Sequence, residues 1–118
     1  MLYVHMIPHT HDDVGWLKTV DDLFVGHNQR NQHSTVQLIL DSVLEQMISR
    51  PNTKFTYAEM KFFSMWYNRL APDLKSQVKS LVAEGRWEII NGGWSENDEA
   101  CPIFEDIVDN MMVGHQWI

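Results

Sequence analysis

At 118 residues the chain has room for one domain or part of one, with a real core but at the lower end for an elaborate enzyme fold. A content of 44% hydrophobic and 21% charged residues is that of an ordinary folded protein and argues against disorder. With 9 Lys and Arg against 16 Asp and Glu, the formal charge of −7 argues against nucleic acid, because phosphate binding draws its affinity from a basic surface.

In chain order, Leu2 to Ile7 is short, apolar and β-branched at intervals, and Pro8 closes it. That pattern predicts a buried strand, with His5 alternating into the sheet. A ligand-rich loop follows at once, Ile7-Pro-His-Thr-His-Asp-Asp-Val-Gly-Trp16. Lys18 to His33 is polar and receives no firm assignment beyond a short helical turn at Val20, Leu23 and Phe24 that dissolves near Gly26. From Ser34 a helix is predicted, with Ser34 and Gln37 as a capping box and Val36, Ile39, Leu40, Val43, Met47 and Ile48 on one face. Pro51 and Asn52 end it.

Phe55 to Glu59 reads as a second strand, and Lys61 to Leu70, crowded with aromatics, as a buried helix rather than a cofactor box. Pro72 is placed to open another helix with an apolar stripe of Leu74, Val78, Leu81 and Val82, terminated by Gly85. Arg86 to Ile90 is a third strand, followed by a second distinctive loop over residues 91–99. A last helix is predicted from Pro102 to Trp117, burying Ile103, Phe104, Ile107, Val108, Met111 and Met112.

Strand and helix alternate three times with no internal boundary, repeat or linker over residues 1–118, which predicts an α/β fold with a parallel sheet and crossover helices. Functional loops in such folds follow the carboxyl ends of strands, as both distinctive loops do. Three strands alone would leave open edges, so the chain reads as part of a larger α/β unit. Cys101 is the only cysteine, which rules out an internal disulfide. No apolar run approaches the roughly 20 residues of a membrane span, and no signal peptide is recognised at the N-terminus.

The chemistry concentrates in the first loop. In an extended segment His9, His11 and Asp13 share one side while Asp12 faces the other, so one edge carries two nitrogen ligands and an oxygen ligand. His11-x-Asp13 suits half of a catalytic zinc site, which needs about three protein ligands and an open position. The same residues equally suit a surface loop in which an Asp caps a turn. Trp16 reads either as a platform for a sugar ring or as one more core aromatic. In the second loop Gly92 and Gly93 bring backbone close to a ligand, with Trp94, Asp98 and Glu99 as pocket residues, or form a plain turn with an acidic helix entry. Glu59 is a pocket carboxylate or, more simply, a hydrogen-bonded structural one. His27, His33 and His115 read as surface residues. No Ser-His, Cys-His or phosphate-loop pattern is present.

Pro8-His-Thr-His-Asp-Asp-Val-Gly-Trp-Leu-Lys-Thr19 closely resembles the N-terminal signature of glycoside hydrolase family 38, the class II α-mannosidases, in its lysosomal branch. Asn91-Gly-Gly-Trp and Asn97-Asp-Glu-Ala100 resemble that family's next recurrent stretch. The resemblance implies the first three β/α units of a seven-stranded barrel, an incomplete parallel β/α barrel here. It implies a retaining, zinc-dependent enzyme that removes terminal α-linked mannose from N-glycans in a lysosome or similar acidic compartment. His11 and Asp13 match the motif's zinc ligands and Trp16 its aromatic platform. The family's nucleophilic Asp, also a ligand, lies in a His-x-Asp-Pro-Phe-Gly motif, and its fourth ligand is a later His. Neither motif occurs in these residues, and the acid/base carboxylate is expected outside them too. Alone, the chain is expected to be inactive, to bind zinc weakly and to need the remaining polypeptide of the same enzyme. Two other readings are a non-catalytic sugar-binding module and a metal-dependent carbohydrate deacetylase.

Overall fold

A computed structural model of the chain describes residues 1–30 and 33–118. Asn31 and Gln32, within the stretch left unassigned above, lie outside the described residues. The unassigned stretch contains a real helix, α1 (Val20–Val25). The Thr19 hydroxyl accepts from the Asp22 amide at 3.2 Å, two acidic residues occupy the first turn, and Gly26 closes it with φ 81°.

Helix α2 (Val36–Ser49) buries Val36, Leu40, Leu44 and Met47. The expected capping box does not form: Thr35 is the N-cap without a side-chain bond, and the Ser34 hydroxyl is buried without a partner. Gln37 instead accepts from Arg69 Nη1 at 2.7 Å, a tertiary bond that takes it away from the cap. Ile48 lies exposed, because the buried stripe runs through Leu44 instead.

Strand β1 (Phe55–Tyr57) is buried on both sides. It leads through Ala58 and Glu59 into α3 (Met60–Arg69), then α4 (Pro72–Ala83) with Pro72 in its first turn, and β2 (Trp87–Ile89). Val82 of the predicted α4 stripe is exposed, whereas Val78 and Leu81 are buried. The two strands pair in parallel, Phe55 with Trp87 and Tyr57 with Ile89, so α3 and α4 form the crossover that parallel pairing requires. The aromatic run of α3 is core, as its composition predicts. Phe63 packs on Trp66, Trp87 and Trp117 at ring-centroid distances of 5.7, 5.8 and 5.7 Å. The Trp66 indole donates to Asp41 Oδ1 at 2.7 Å and ties α3 to α2.

Two expectations need correction. Leu2 to Ile7 forms no strand and is exposed along its length, His5 included. Among the described residues the only bridge near it is a parallel one between His9 and Thr56, just past its end, and no strand flanks the run itself. The other correction is α5 (Phe104–Trp117). Ile103, Phe104, Val108 and Met112 are exposed, and Ile107 and Met111 only half-buried. The inward stripe is Ile107, Asn110, Met111, Gly114 and Trp117, at proper helical spacing but carrying an amide and a glycine. Gly114 is buried because α5 meets the 91–94 backbone there, and a Cβ on it would lie 2.0 Å from Gly92 O.

Candidate metal centre

Strand β1 holds the ligand loop at two points. At one, the Thr56 amide and hydroxyl both donate to Pro8 O at 3.0 Å. At the other, the Asp12 amide donates to Glu59 Oε1 and the Tyr57 hydroxyl donates to Asp12 Oδ2, each at 3.1 Å. Gly15, with φ 88°, then turns the chain and donates to Asp13 O at 2.9 Å. Asp12 thus faces inward to the strand, while its neighbours His11 and Asp13 face the opposite side, as alternation predicts.

The second loop follows β2 and is held from two sides. Its Gly93 and Trp94 carbonyls accept from the first amides of α3, Met60 and Lys61, at 3.1 and 2.9 Å. On the other side Asn110 of α5 accepts through its carbonyl from the Trp94 amide and through Oδ1 from the Ser95 amide, while its Nδ2 donates to Ser95 O and Asn97 Oδ1. Glu96 is carried out to the first loop by this knot. A cleft of about 620 Å³ opens between the loops, with His11, Asp13, Glu96, Asp98 and Glu99 among its lining; Asp12, a candidate pocket residue from its place in the motif, also borders it, although its carboxylate is held by Tyr57.

In the cleft His11 Nδ1 lies 2.6 Å from Glu96 Oε2, and His11 Nε2 lies 3.4 Å from Asp13 Oδ1. Burial works against charge on the imidazole, but Glu96 and then Asp13 outweigh it and raise the His11 pKa. Below them, burial pushes the Glu59 carboxyl up to about 7 despite the amide bond from Asp12. Burial likewise raises Asp12 against the hydrogen bond from Tyr57, and raises the Tyr57 phenol.

The donor set suits a divalent ion. Two ligands of a tetrahedral zinc with bonds of about 2.0–2.1 Å stand roughly 3.3–3.4 Å apart. His11 Nε2 and Asp13 Oδ1 have that separation, 3.4 Å. With Nε2 committed to a metal, Nδ1–H is left to donate to Glu96, the carboxylate–histidine arrangement that fixes ring orientation and tautomer. His11, Glu59 and Glu96 also place donor atoms within 4.8 Å of one another.

Among the other residues singled out in the sequence, Trp16 is 69% exposed and does not join the core of the described residues. Asp98 lines the cleft and accepts from the Ala100 amide at 2.7 Å, which lowers its pKa. His9 does not join the ligand edge: it is exposed, with Nδ1 3.1 Å from Thr10 O. Trp94 packs against the core beneath Lys61 Nζ, 5.5 Å from its ring centroid, and stays out of the cleft. Glu59 is hydrogen-bonded and fully buried, and it does not line the cleft itself, although one of its oxygens lies within 4.8 Å of donor atoms of His11 and Glu96. Glu96 and Tyr57 were not anticipated. The only sequence signal for Glu96 is an acidic residue in a loop at a strand's carboxyl end.

The model of the glycosyl hydrolases family 38 N-terminal domain matches residues 1–118. A probable α-mannosidase of Arabidopsis thaliana is 48% identical over 117 residues, covering 99% of this chain and 11% of the relative. The lysosomal α-mannosidases of Mus musculus and Homo sapiens are each 48% identical over 118 residues, all of this chain and 12% of theirs. This chain therefore spans about a tenth of the length of these relatives, and it belongs to glycosyl hydrolase family 38.

Proposed function

We propose that the chain is part of the catalytic α/β barrel of a zinc-dependent, retaining α-mannosidase that removes terminal α-linked mannose from N-glycans. The carrying observation is the His11–Asp13 pair, spaced at 3.4 Å as two ligands of one ion and oriented by Glu96. His11 Nε2 and Asp13 Oδ1 would hold the zinc, which when bound supplies a Lewis-acidic grip on adjacent sugar hydroxyls. Glu96 keeps the imidazole turned toward Asp13 and accepts the Nδ1 proton. Trp16 offers an exposed indole face to the apolar side of a sugar ring. The remaining ligands, the nucleophile and the acid/base carboxylate come from the rest of the polypeptide, since retention takes two carboxyl groups flanking the glycosidic bond.

The barrel reading is supported by parallel strands joined through helices, and by a third parallel pass that touches β1 at His9 with its apolar residues still exposed. A lysosomal or similarly acidic location is inferred from the relatives' names and the first loop's wording.

The test uses the protein at the full length of its relatives. It is expected to release mannose from an aryl α-mannoside, to lose that activity on chelation and to regain it with zinc. Acetate release from an N-acetylated sugar without mannose release would favour the deacetylase reading instead, and binding of mannosides without either product would favour a sugar-binding module.

A further inference from the structure

Glu59 is fully buried and stands at the N-cap of α3, yet its side chain makes no capping bond. Burying a carboxylate is costly, and capping would be the ordinary compensation. Instead Oε1 accepts from the Asp12 amide at 3.1 Å, and Oε2 is buried with no hydrogen-bond partner. A Glu59 oxygen is one of the donor atoms that lie within 4.8 Å of each other with a His11 nitrogen and a Glu96 oxygen. The carboxyl is thus spent on the ligand loop, not on its own helix.

Asp12 is the link between the two ligands. Its amide is held by Glu59 and its carboxylate by Tyr57, both borne by one short strand and its exit. The peptide plane between His11 and Asp12 is set by the amide bond, and the direction of the Asp12 side chain by the phenol. Together they fix how His11 leaves the chain on one side and Asp13 on the other. The upstream end of the loop is fixed at Pro8 by Thr56, so the segment between has little freedom to splay the ligands.

We infer that Glu59 is a positioning residue for the metal site: it acts through the Asp12 amide to hold His11 and Asp13 at ligand separation, with Tyr57 as its partner on the Asp12 carboxylate. This rests on the zinc reading of the His11–Asp13 pair. An acceptor at this position matters more than its charge.

The experiment compares zinc affinity, by chelator competition, for the full-length wild type and its Glu59→Met, Glu59→Gln and Tyr57→Phe variants, with thermal melts to confirm folding. Glu59→Met, which fills the space without an acceptor, is expected to bind zinc about 10- to 100-fold more weakly, the usual cost of losing a group that orients a ligand. Glu59→Gln, which keeps an acceptor for the Asp12 amide, restores most of the affinity, and Tyr57→Phe is weakened to a lesser degree. A folded Glu59→Met protein with wild-type zinc affinity overturns the inference, as does a Glu59→Gln protein as weak as Glu59→Met. A wild type that binds no zinc overturns the zinc reading, and this inference with it.

Discussion

In the proposed zinc site, adjacent residues of the first loop have opposite duties. His11 and Asp13 face the cleft with one another and Glu96, whereas Asp12 between them faces Tyr57 and Glu59. This division follows from extended backbone, and it puts a carboxyl of raised pKa directly beneath the ligands. In the metal-free protein Glu59 keeps its proton up to about 7, against an ordinary 4.5. Between those values the native state binds more protons than the unfolded one, so stability is greatest near the acid end, declines as pH rises through the window and levels off above about 7. The decline is on the order of 1–3 kcal/mol. Urea melts of metal-free protein between pH 4.5 and 7.5 should show that slope in the wild type and a flattened one in Glu59→Gln. An equal slope in both would mean that another group carries it.

At the scale of elements, the site depends on a backbone contact far from its ligands. Helix α5 reaches the second loop through Gly114, where an added Cβ would lie 2.0 Å from Gly92 O and 2.5 Å from Gly93 C, both backbone atoms that cannot swing aside. Gly114→Ala is therefore expected to destabilise the fold by about 3 kcal/mol, the upper range for overpacking, even though alanine is the better helix former. A chemical denaturation curve measures this, and a neutral or stabilising result would show that α5 does not seat as described. The same contact explains why the α5 face was misread from sequence. Apolar periodicity selects Ile103, Phe104, Val108 and Met112, but close approach selects the side carrying Gly114 and Asn110, and no hydrophobic pattern marks a helix that docks by its backbone. Where burial itself decides, sequence and structure agree: α3 joins the core through Phe62, Phe63 and Trp66 while Asn68 and Arg69 face out, and Pro72 and Gly85 bracket α4 and its exit as their backbone preferences require. His11-x-Asp13 was legible because both ligands lie within three residues. Glu96 and Tyr57 were not, since only strand pairing and the Asn110 knot bring them to the loop.

For the whole molecule, the outstanding feature is apolar surface without a partner. Leu2, Tyr3, Val4, Met6 and Ile7 are exposed along one parallel pass, and Ile103, Phe104, Val108 and Met112 along α5. Apolar side chains exposed in such runs suit surface that further structure covers in the proposed barrel. The cleft fits the same proposal in chemical terms: His11 and Asp13 stand 3.4 Å apart with the exposed Trp16 on the same loop, and the proposed site takes its other ligands from outside these residues. On the proposed reading the same remainder of the polypeptide completes both surface and site, in keeping with relatives that are roughly eight to nine times as long. Crystals of the full-length protein, measured for anomalous scattering on either side of the zinc edge, test this most directly. The account predicts one zinc peak bonded at about 2.0–2.2 Å to His11 Nε2 and Asp13 Oδ1, with its other protein ligands drawn from outside residues 1–118. A zinc bound elsewhere, or a cleft that holds none in a protein active on α-mannosides, would contradict it.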